Sequence, residues 1–118
     1  MCPEVKKCLI VKRTNKEIEL KSNRDIFYAD QNCHPQTIEL LRTRSEPVGI
    51  SLVVCKIENF DFNDDVIGAL IQYPSSDGKI LSFNDICQNA HSKKSLIAVA
   101  TDLLALALIP SPGEIGAD

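Results

Sequence analysis

The chain has 118 residues, a mass of 13.0 kDa and a formal net charge of -3; this length suits one small domain and excludes a multidomain enzyme. Apolar residues make up 44% and charged residues 25%, the usage of ordinary globular proteins, which excludes a disordered or fibrous chain. The slightly acidic balance argues against a nucleic-acid partner, because neutralising phosphates requires a basic face.

The first half of the chain alternates between strand and helix patterns. Residues 26–29 are a short β-prone run that ends at Asp30. Pro35 then opens a segment with apolar residues at helical spacing, and this predicted helix must stop before Pro47. Residues 50–55 form a second strand candidate.

The second half repeats the same alternation. Residues 66–71 are apolar at every position, which predicts a strand covered on both faces. Ser82, with Asp85 three residues later, resembles a helix N-terminus, and an apolar stripe follows: Phe83, Ile86, Cys87 and Ala90. Residues 96–100 predict another buried strand, and residues 110–114 predict a turn rather than a regular element.

This order of elements predicts an α/β fold with a mainly parallel sheet and flanking helices. The charged N-terminal segment fits the scheme poorly and is interpreted as either a strand around residues 9–11 or a frayed helix. The longest apolar stretch, residues 96–109, is interrupted by Thr101 and Asp102 and is shorter than a membrane helix requires, so no membrane partner is expected.

The cysteines indicate a reducing compartment. They form an odd set without a CxxC pair, which disfavours both a disulfide framework and a zinc ribbon: Cys2, Cys8, Cys33, Cys55 and Cys87. Cys55 and Cys87 lie inside apolar patterns and are predicted to be small core residues rather than reactive thiols. No targeting signal is recognisable in the chain.

Candidate ligand-binding residues follow the predicted strands, because ligands of open parallel sheets bind beyond the carboxyl ends of the strands. Segments 30–35, 72–74 and 101–102 would share this edge. His34 offers a flat ring for stacking, and Asp102 offers a carboxylate for a protonated heteroaromatic nitrogen. The alternatives are a helix cap for His34 and a turn or cap for Asp102, while His91 suits the dipole at a helix end. GxGxxG, GxxxxGK[ST], GxSxG and HExxH are all absent, so the residues alone name no reaction.

A family resemblance adds to this interpretation. Its motifs are residues 32–37, 42–44, 73–74 and 77–78, and above all 100–106 (ATDLLAL) followed by 112–114 and 116–118. With these motifs the sequence resembles the P-protein family of the glycine cleavage system, glycine dehydrogenase (decarboxylating). The likeness is collinear from about Asp25 to Asp118. It divides the chain into an unmatched segment, 1–24, and a partial large domain, 25–118. The resemblance implies that this domain has the pyridoxal-phosphate-dependent transferase fold of aspartate-aminotransferase type.

The resemblance implies a pyridoxal-phosphate enzyme that decarboxylates glycine and passes the aminomethyl group to a lipoyl carrier protein, the H-protein. The chain looks like the N-terminal half, which in this family lacks the Schiff-base lysine, so its implied partner is the lysine-bearing half. By likeness between the halves, His34 would stack on the cofactor and Asp102 would face the pyridine nitrogen. The resemblance implies no catalytic residue and no metal ligand in this chain.

We therefore expect a fragment of a P-protein that is inactive alone. The alternative, from a different class, is a non-catalytic interaction module or truncated remnant that docks on a full-length P-protein. A third possibility is an unrelated small α/β binding domain. The family would place the protein in the cytoplasm of a bacterium or in the mitochondrial matrix of a eukaryote.

Overall fold

Four parallel strands form the centre of the structure, a computed structural model that describes residues 24–118. In chain order the helices and strands are β1 (Ile26–Asp30), α1 (Pro35–Ser45), β2 (Ser51–Cys55), β3 (Val66–Tyr73), α2 (Asn84–Ser92), β4 (Leu96–Thr101) and α3 (Pro112–Ile115). The strands lie in the order β2-β1-β3-β4, and every neighbouring pair is parallel. The predicted α/β fold with a parallel sheet is confirmed, and the strand or helix considered near residues 9–11 lies outside the described residues.

The central strand β3 is covered on both faces, as its continuous apolar sequence predicts. Leu70 packs against the cluster that contains Phe27, whereas its sequence neighbours Ala69 and Ile71 belong to a second cluster, so the two clusters lie on opposite faces. Gly68 lies against β4, where a Cβ atom would overlap the carbonyl oxygen of Leu96. The close approach of β3 to β4 therefore depends on the missing side chain at this position.

Helix α1 covers the first face. It begins at Pro35, whose fixed φ suits the first helical turn, and it ends at Ser45, before Pro47, as predicted. Its Leu41 packs against the cluster that contains Val48 and Phe27. This placement fixes the loop between β1 and α1 at the carboxyl edge of the sheet.

Helix α2 covers the second face and begins later than the sequence indicates. Phe83, not Ser82, occupies the cap position, and no side chain caps the helix. Phe83 is 1% exposed, and its ring meets Tyr73 edge-on at 5.2 Å between centroids. Burial of this aromatic ring, rather than a capping hydrogen bond, therefore sets where α2 starts. The predicted apolar stripe is confirmed by the burial of Cys87 and Ala90.

The C-terminal tail corrects a second expectation. The predicted turn at residues 110–114 contains the start of α3, a one-turn helix. Ser111 and Glu114 form a capping box, in which the Ser111 N–H and hydroxyl donate to the Glu114 carboxylate at 2.9 and 2.8 Å. Proline and glycine indicated a turn, but the serine and glutamate three residues apart carry the helix signal.

The described cysteines divide by position in the sheet. Cys87 is buried in the core as predicted, but Cys55 is only half-buried. The difference arises because Cys55 ends β2, an outer strand with one neighbour. Cys55 is therefore less buried than the core residue that the sequence predicted. Cys33 is also buried, although its sequence context gave no apolar pattern.

Candidate functional site

The carboxyl ends of β1, β3 and β4 lie side by side because all the strands are parallel. The chain passes from β1 outward to β2 and then returns across β1 to β3 and β4, so the direction of winding reverses between β1 and β3. Open α/β sheets bind ligands in the crevice at such a switch point. The three segments expected to share this edge are therefore brought together.

His34 stands at the switch point, in the cap position of α1. Its side chain makes no capping hydrogen bond, so His34 occupies the N-cap position but does not cap the helix with its side chain. The exposed ring instead lies with Nδ1 2.9 Å from the Ser76 hydroxyl, which follows β3. A backbone bond runs beside it, in which the Ser76 N–H donates to the Asn32 carbonyl oxygen at 3.0 Å.

Asp102 follows the last residue of β4 and is exposed. One of its carboxylate oxygens accepts the Leu104 N–H at 3.2 Å, a local turn interaction of the kind weighed as the alternative to ligand binding. β3 separates β4 from β1, so the strand ends that precede Asp102 and His34 lie about two strand spacings apart, roughly 10 Å. Both residues therefore follow strand ends at the same edge of the sheet.

Three buried polar atoms without hydrogen-bond partners mark the ends of the same strands. They are Asp30 Oδ2, Gln72 Oε1 and Thr101 Oγ1. Thr101 is level with Tyr73 on the face covered by α2, and Asp30 shares that face, while Gln72 lies on the face of α1. Buried polar atoms are usually paired, so this edge has hydrogen-bonding capacity that the described residues do not use.

Asp30 is 1% exposed and ends β1. Its Oδ1 atom accepts the Asn32 N–H at 3.0 Å, which fixes the start of the loop toward His34. Burial raises the pKa of the Asp30 carboxyl, and the nearby carboxylates of Glu58 and Asp77 raise it further, against the lowering effect of the Asn32 N–H. The Asp30 carboxyl therefore ionises at a higher pH than an exposed aspartate does.

Cys33 is a site feature that sequence reasoning missed. It lies between Asp30 and His34 and is 3% exposed. Burial, with the nearby Asp30 carboxylate, raises the pKa of the Cys33 thiol to about 12. A thiol of this kind is not a nucleophile near neutral pH, so Cys33 contributes packing beneath the loop.

The turn after β3 is held by its own hydrogen bonds. The Ser75 hydroxyl donates to the Asp77 carboxylate, and the Ser75 N–H donates to the Lys79 carbonyl oxygen at 3.0 Å. The Ser75 hydroxyl and the Lys79 side chain lower the pKa of the exposed Asp77 carboxyl to about 2. Asp77 therefore remains a carboxylate paired with Lys79, at 3.1 Å, and keeps the turn closed.

His91 lies away from this edge. It is in the last turn of α2, at the helix end where the sequence placed it. Its Nε2 is 2.9 Å from the Asp118 carboxylate, which also accepts the Ile97 N–H at 2.9 Å. The two histidines of the chain thus have separate partners at separate places.

Two other kinds of site were sought over residues 24–118. No helix in that range is long and apolar enough to cross a bilayer. Nor do three or more His, Cys, Asp or Glu side chains in the same range come together in a group able to hold a metal ion.

An open parallel sheet with helices on both faces defines a domain of the α/β class, and solved structures share this arrangement. Glycine decarboxylase (P-protein) of the glycine cleavage system, in inhibitor-bound form, aligns with a TM-score of 0.75 and 26% identity over 80% of this chain and 23% of its own. Cystathionine gamma-lyase from Lactobacillus plantarum aligns with a TM-score of 0.70 over 98% of this chain and 30% of its own, but at 12% identity it shows the fold alone.

Sequence comparison narrows the class to one family. The family described as Glycine cleavage system P-protein matches residues 10–118. Glycine dehydrogenase (decarboxylating) of Photobacterium profundum is 49% identical over 98 residues, and the mitochondrial enzyme of Dictyostelium discoideum is 48% identical over 92 residues. The chain belongs to the P-protein family of the glycine cleavage system. These two matches include 83% and 78% of this chain, but only 10% and 9% of the length of the two relatives.

Proposed function

We propose that this chain serves as part of a glycine-decarboxylating P-protein, to which it contributes the carboxyl edge of a parallel sheet, and that it is inactive alone. The observation that carries the proposal is the meeting of the His34 loop and the Ser76 turn at the switch point, with Asp102 at the end of the next strand along the same edge. Family membership supports the reaction. The small share of the relatives that the chain covers supports its dependence on further protein.

The edge fits recognition of the pyridoxal-phosphate ring. His34 presents an exposed ring for stacking, Asp102 offers a carboxylate for a protonated ring nitrogen, and Thr101 Oγ1, next to Asp102 in the chain, is a buried polar atom without a partner among the described residues. When bound, pyridoxal phosphate supplies the electron sink for decarboxylation. This chain would orient the ring and hold a proton at its nitrogen.

The edge carries two lysines, and we propose that neither serves the cofactor. Lys79 is paired with Asp77, Lys56 follows the outer strand β2, and among residues 24–118 no lysine follows β4. Lys93 and Lys94 precede β4, at the opposite end of the sheet. We therefore propose that a lysine-bearing half of the P-protein completes the site. The substrate would be glycine, and a lipoyl carrier protein would accept the aminomethyl group.

The test is exchange of labelled carbon dioxide into glycine by the P-protein that carries this sequence. His34→Ala and Asp102→Asn should each lower the exchange rate and weaken pyridoxal-phosphate binding measured by absorbance. His91→Ala is the matched control, because His91 is the other histidine and lies away from the edge. Wild-type exchange and binding in both edge variants would refute the assignment, and exchange by the 118-residue chain alone would refute its inactivity.

A second function is favoured by a different observation. Leu103, Leu104 and Leu108 are 84%, 80% and 91% exposed. Apolar side chains grouped in this way indicate a protein-binding surface, so the alternative is a non-catalytic module that docks on a full-length P-protein. Sedimentation of the chain with and without that P-protein tests this docking. A monodisperse monomer that does not bind the P-protein would exclude the docking module. The location would follow the relatives, one of which is named mitochondrial.

A further inference from the structure

Ser76 makes two bonds across the switch point, one with its backbone and one with its side chain. Its N–H donates to the Asn32 carbonyl oxygen at 3.0 Å, and its hydroxyl lies 2.9 Å from His34 Nδ1. Both partners belong to the loop that leads from β1 into α1. The turn after β3 is thereby joined to the loop after β1 at two points.

The turn that carries Ser76 closes without using the Ser76 hydroxyl. The Gly78 N–H donates to the Ser75 carbonyl oxygen at 2.8 Å, with Gly78 at a φ of 79° that favours glycine. Ser75 and Asp77 complete the turn with their side chains, as described above. The Ser76 hydroxyl is the side-chain group left to face His34.

The backbone of His34 is fixed independently of its ring. The His34 carbonyl oxygen accepts the N–H groups of Thr37 and Ile38, the first bonds of α1. Upstream, Asp30 Oδ1 holds the Asn32 N–H. With both ends of the loop fixed, the ring orientation of His34 depends on its Nδ1 partner, which is Ser76.

We propose that Ser76 is a positioning residue, whose hydroxyl holds Nδ1 of His34 and thereby sets the orientation of the ring at the switch point. A hydroxyl both donates and accepts, so it binds Nδ1 in either protonation state while the other nitrogen and the ring faces stay available. The consequence for the cofactor rests on the proposed function, in which His34 stacks on the cofactor ring.

Nitrogen-15 NMR of the histidine-labelled 118-residue chain tests the hydrogen bond directly, because the chemical shift of a ring nitrogen responds to its hydrogen-bond partner. Ser76→Ala should change the Nδ1 chemical shift of His34, and Ser76→Thr, which keeps the hydroxyl, should restore it. His91 is an internal reference, since its partner is Asp118. Ser51→Ala, at the amino end of β2, is the matched control and should change neither histidine.

An unchanged His34 spectrum in Ser76→Ala would overturn the proposal, and so would changes at His91 as large as those at His34, which would indicate a general disturbance. In the assembled P-protein, Ser76→Ala should weaken pyridoxal-phosphate binding about two- to tenfold, the effect of one hydrogen bond. If the NMR result holds while wild-type protein and Ser76→Ala bind the cofactor equally, Ser76 still positions His34 but the cofactor role of His34 fails.

Discussion

Arg24 provides the sharpest stability prediction, because a buried cation there joins three parts of the fold. It is 4% exposed, and its guanidinium donates to the carbonyl oxygens of Val66, Lys93 and Lys94 at 2.8, 2.7 and 3.0 Å. The Ser95 hydroxyl lies within 3.3 Å as well. These contacts connect the start of β1 to the start of β3 and to the α2–β4 connection.

Replacing Arg24 with Leu removes these bonds, but the cost is less than their sum. The Val66 carbonyl oxygen keeps a second donor, the Ser95 hydroxyl at 2.9 Å, and the exposed Lys93 and Lys94 can turn to water. A hydrogen bond to a charged group contributes about 1.5–3 kcal/mol. With part of that recovered, Arg24→Leu should lower the free energy of unfolding by about 2–4 kcal/mol, a large part of the ~5–15 kcal/mol of a typical domain.

Urea unfolding followed by circular dichroism measures this loss as a lower midpoint at unchanged slope. Arg44→Leu is the matched control: Arg44 is exposed in the last turn of α1, so its replacement should change stability by less than about 0.5 kcal/mol. Arg24→Lys should fall between the two, because an ammonium cannot reproduce the planar fork of donors. Equal midpoints for Arg24→Leu and Arg44→Leu would refute the reasoning.

Three further predictions concern the sheet and its carboxyl edge. Gly68→Ala should lower the free energy of unfolding in urea by about 1–3 kcal/mol, because the new methyl group meets the Leu96 backbone. Gly113→Ala is the control and should lower it little, because no atom lies within 4 Å of the added Cβ. Equal losses in the two variants would contradict the packing argument. The raised pKa of Asp30 means that the contribution of this group to stability is greatest below the ordinary carboxyl range and is lost as pH rises through the folded-state pKa. Asp30→Asn should therefore gain stability over wild type as pH rises from about 4 to 7, and a constant difference in thermal midpoint across that range would count against a buried carboxyl that resists ionisation. Cys33, with its pKa of about 12, should be alkylated at pH 8 far more slowly in the folded chain than in urea, as peptide mass spectrometry would show; equal rates would place this thiol in solvent.

Strand and helix positions were predictable because each depends on local pattern. The continuous apolar run of β3 and the Pro35 start of α1 are visible in the sequence, and both are confirmed. The start of α2 was not predictable from caps, because burial of Phe83 against Tyr73 is a tertiary contact. The neighbouring prolines and glycines predicted a turn in place of helix α3, although its capping residues, Ser111 and Glu114, can be recognised in the sequence.

The edge segments that hold the candidate site were also predictable, since a parallel sheet brings the ends of its strands together. Which side chains interact there was not. The His34–Ser76 pair joins residues 42 positions apart, and nothing in either segment signals the partner. The burial of Cys33 and the raised pKa of Asp30 depend in the same way on side chains from other elements.

If this sequence works as part of a larger P-protein, the polypeptide that carries it in its source cells should show this by its length or its partner. Immunoblotting with an antibody raised against residues 24–118, followed by peptide mass spectrometry of the detected band and of what co-purifies with it, measures both. We expect this sequence within a polypeptide several-fold longer, or in a stable complex with a lysine-bearing P-protein half. A free polypeptide of 118 residues without such a partner would contradict it.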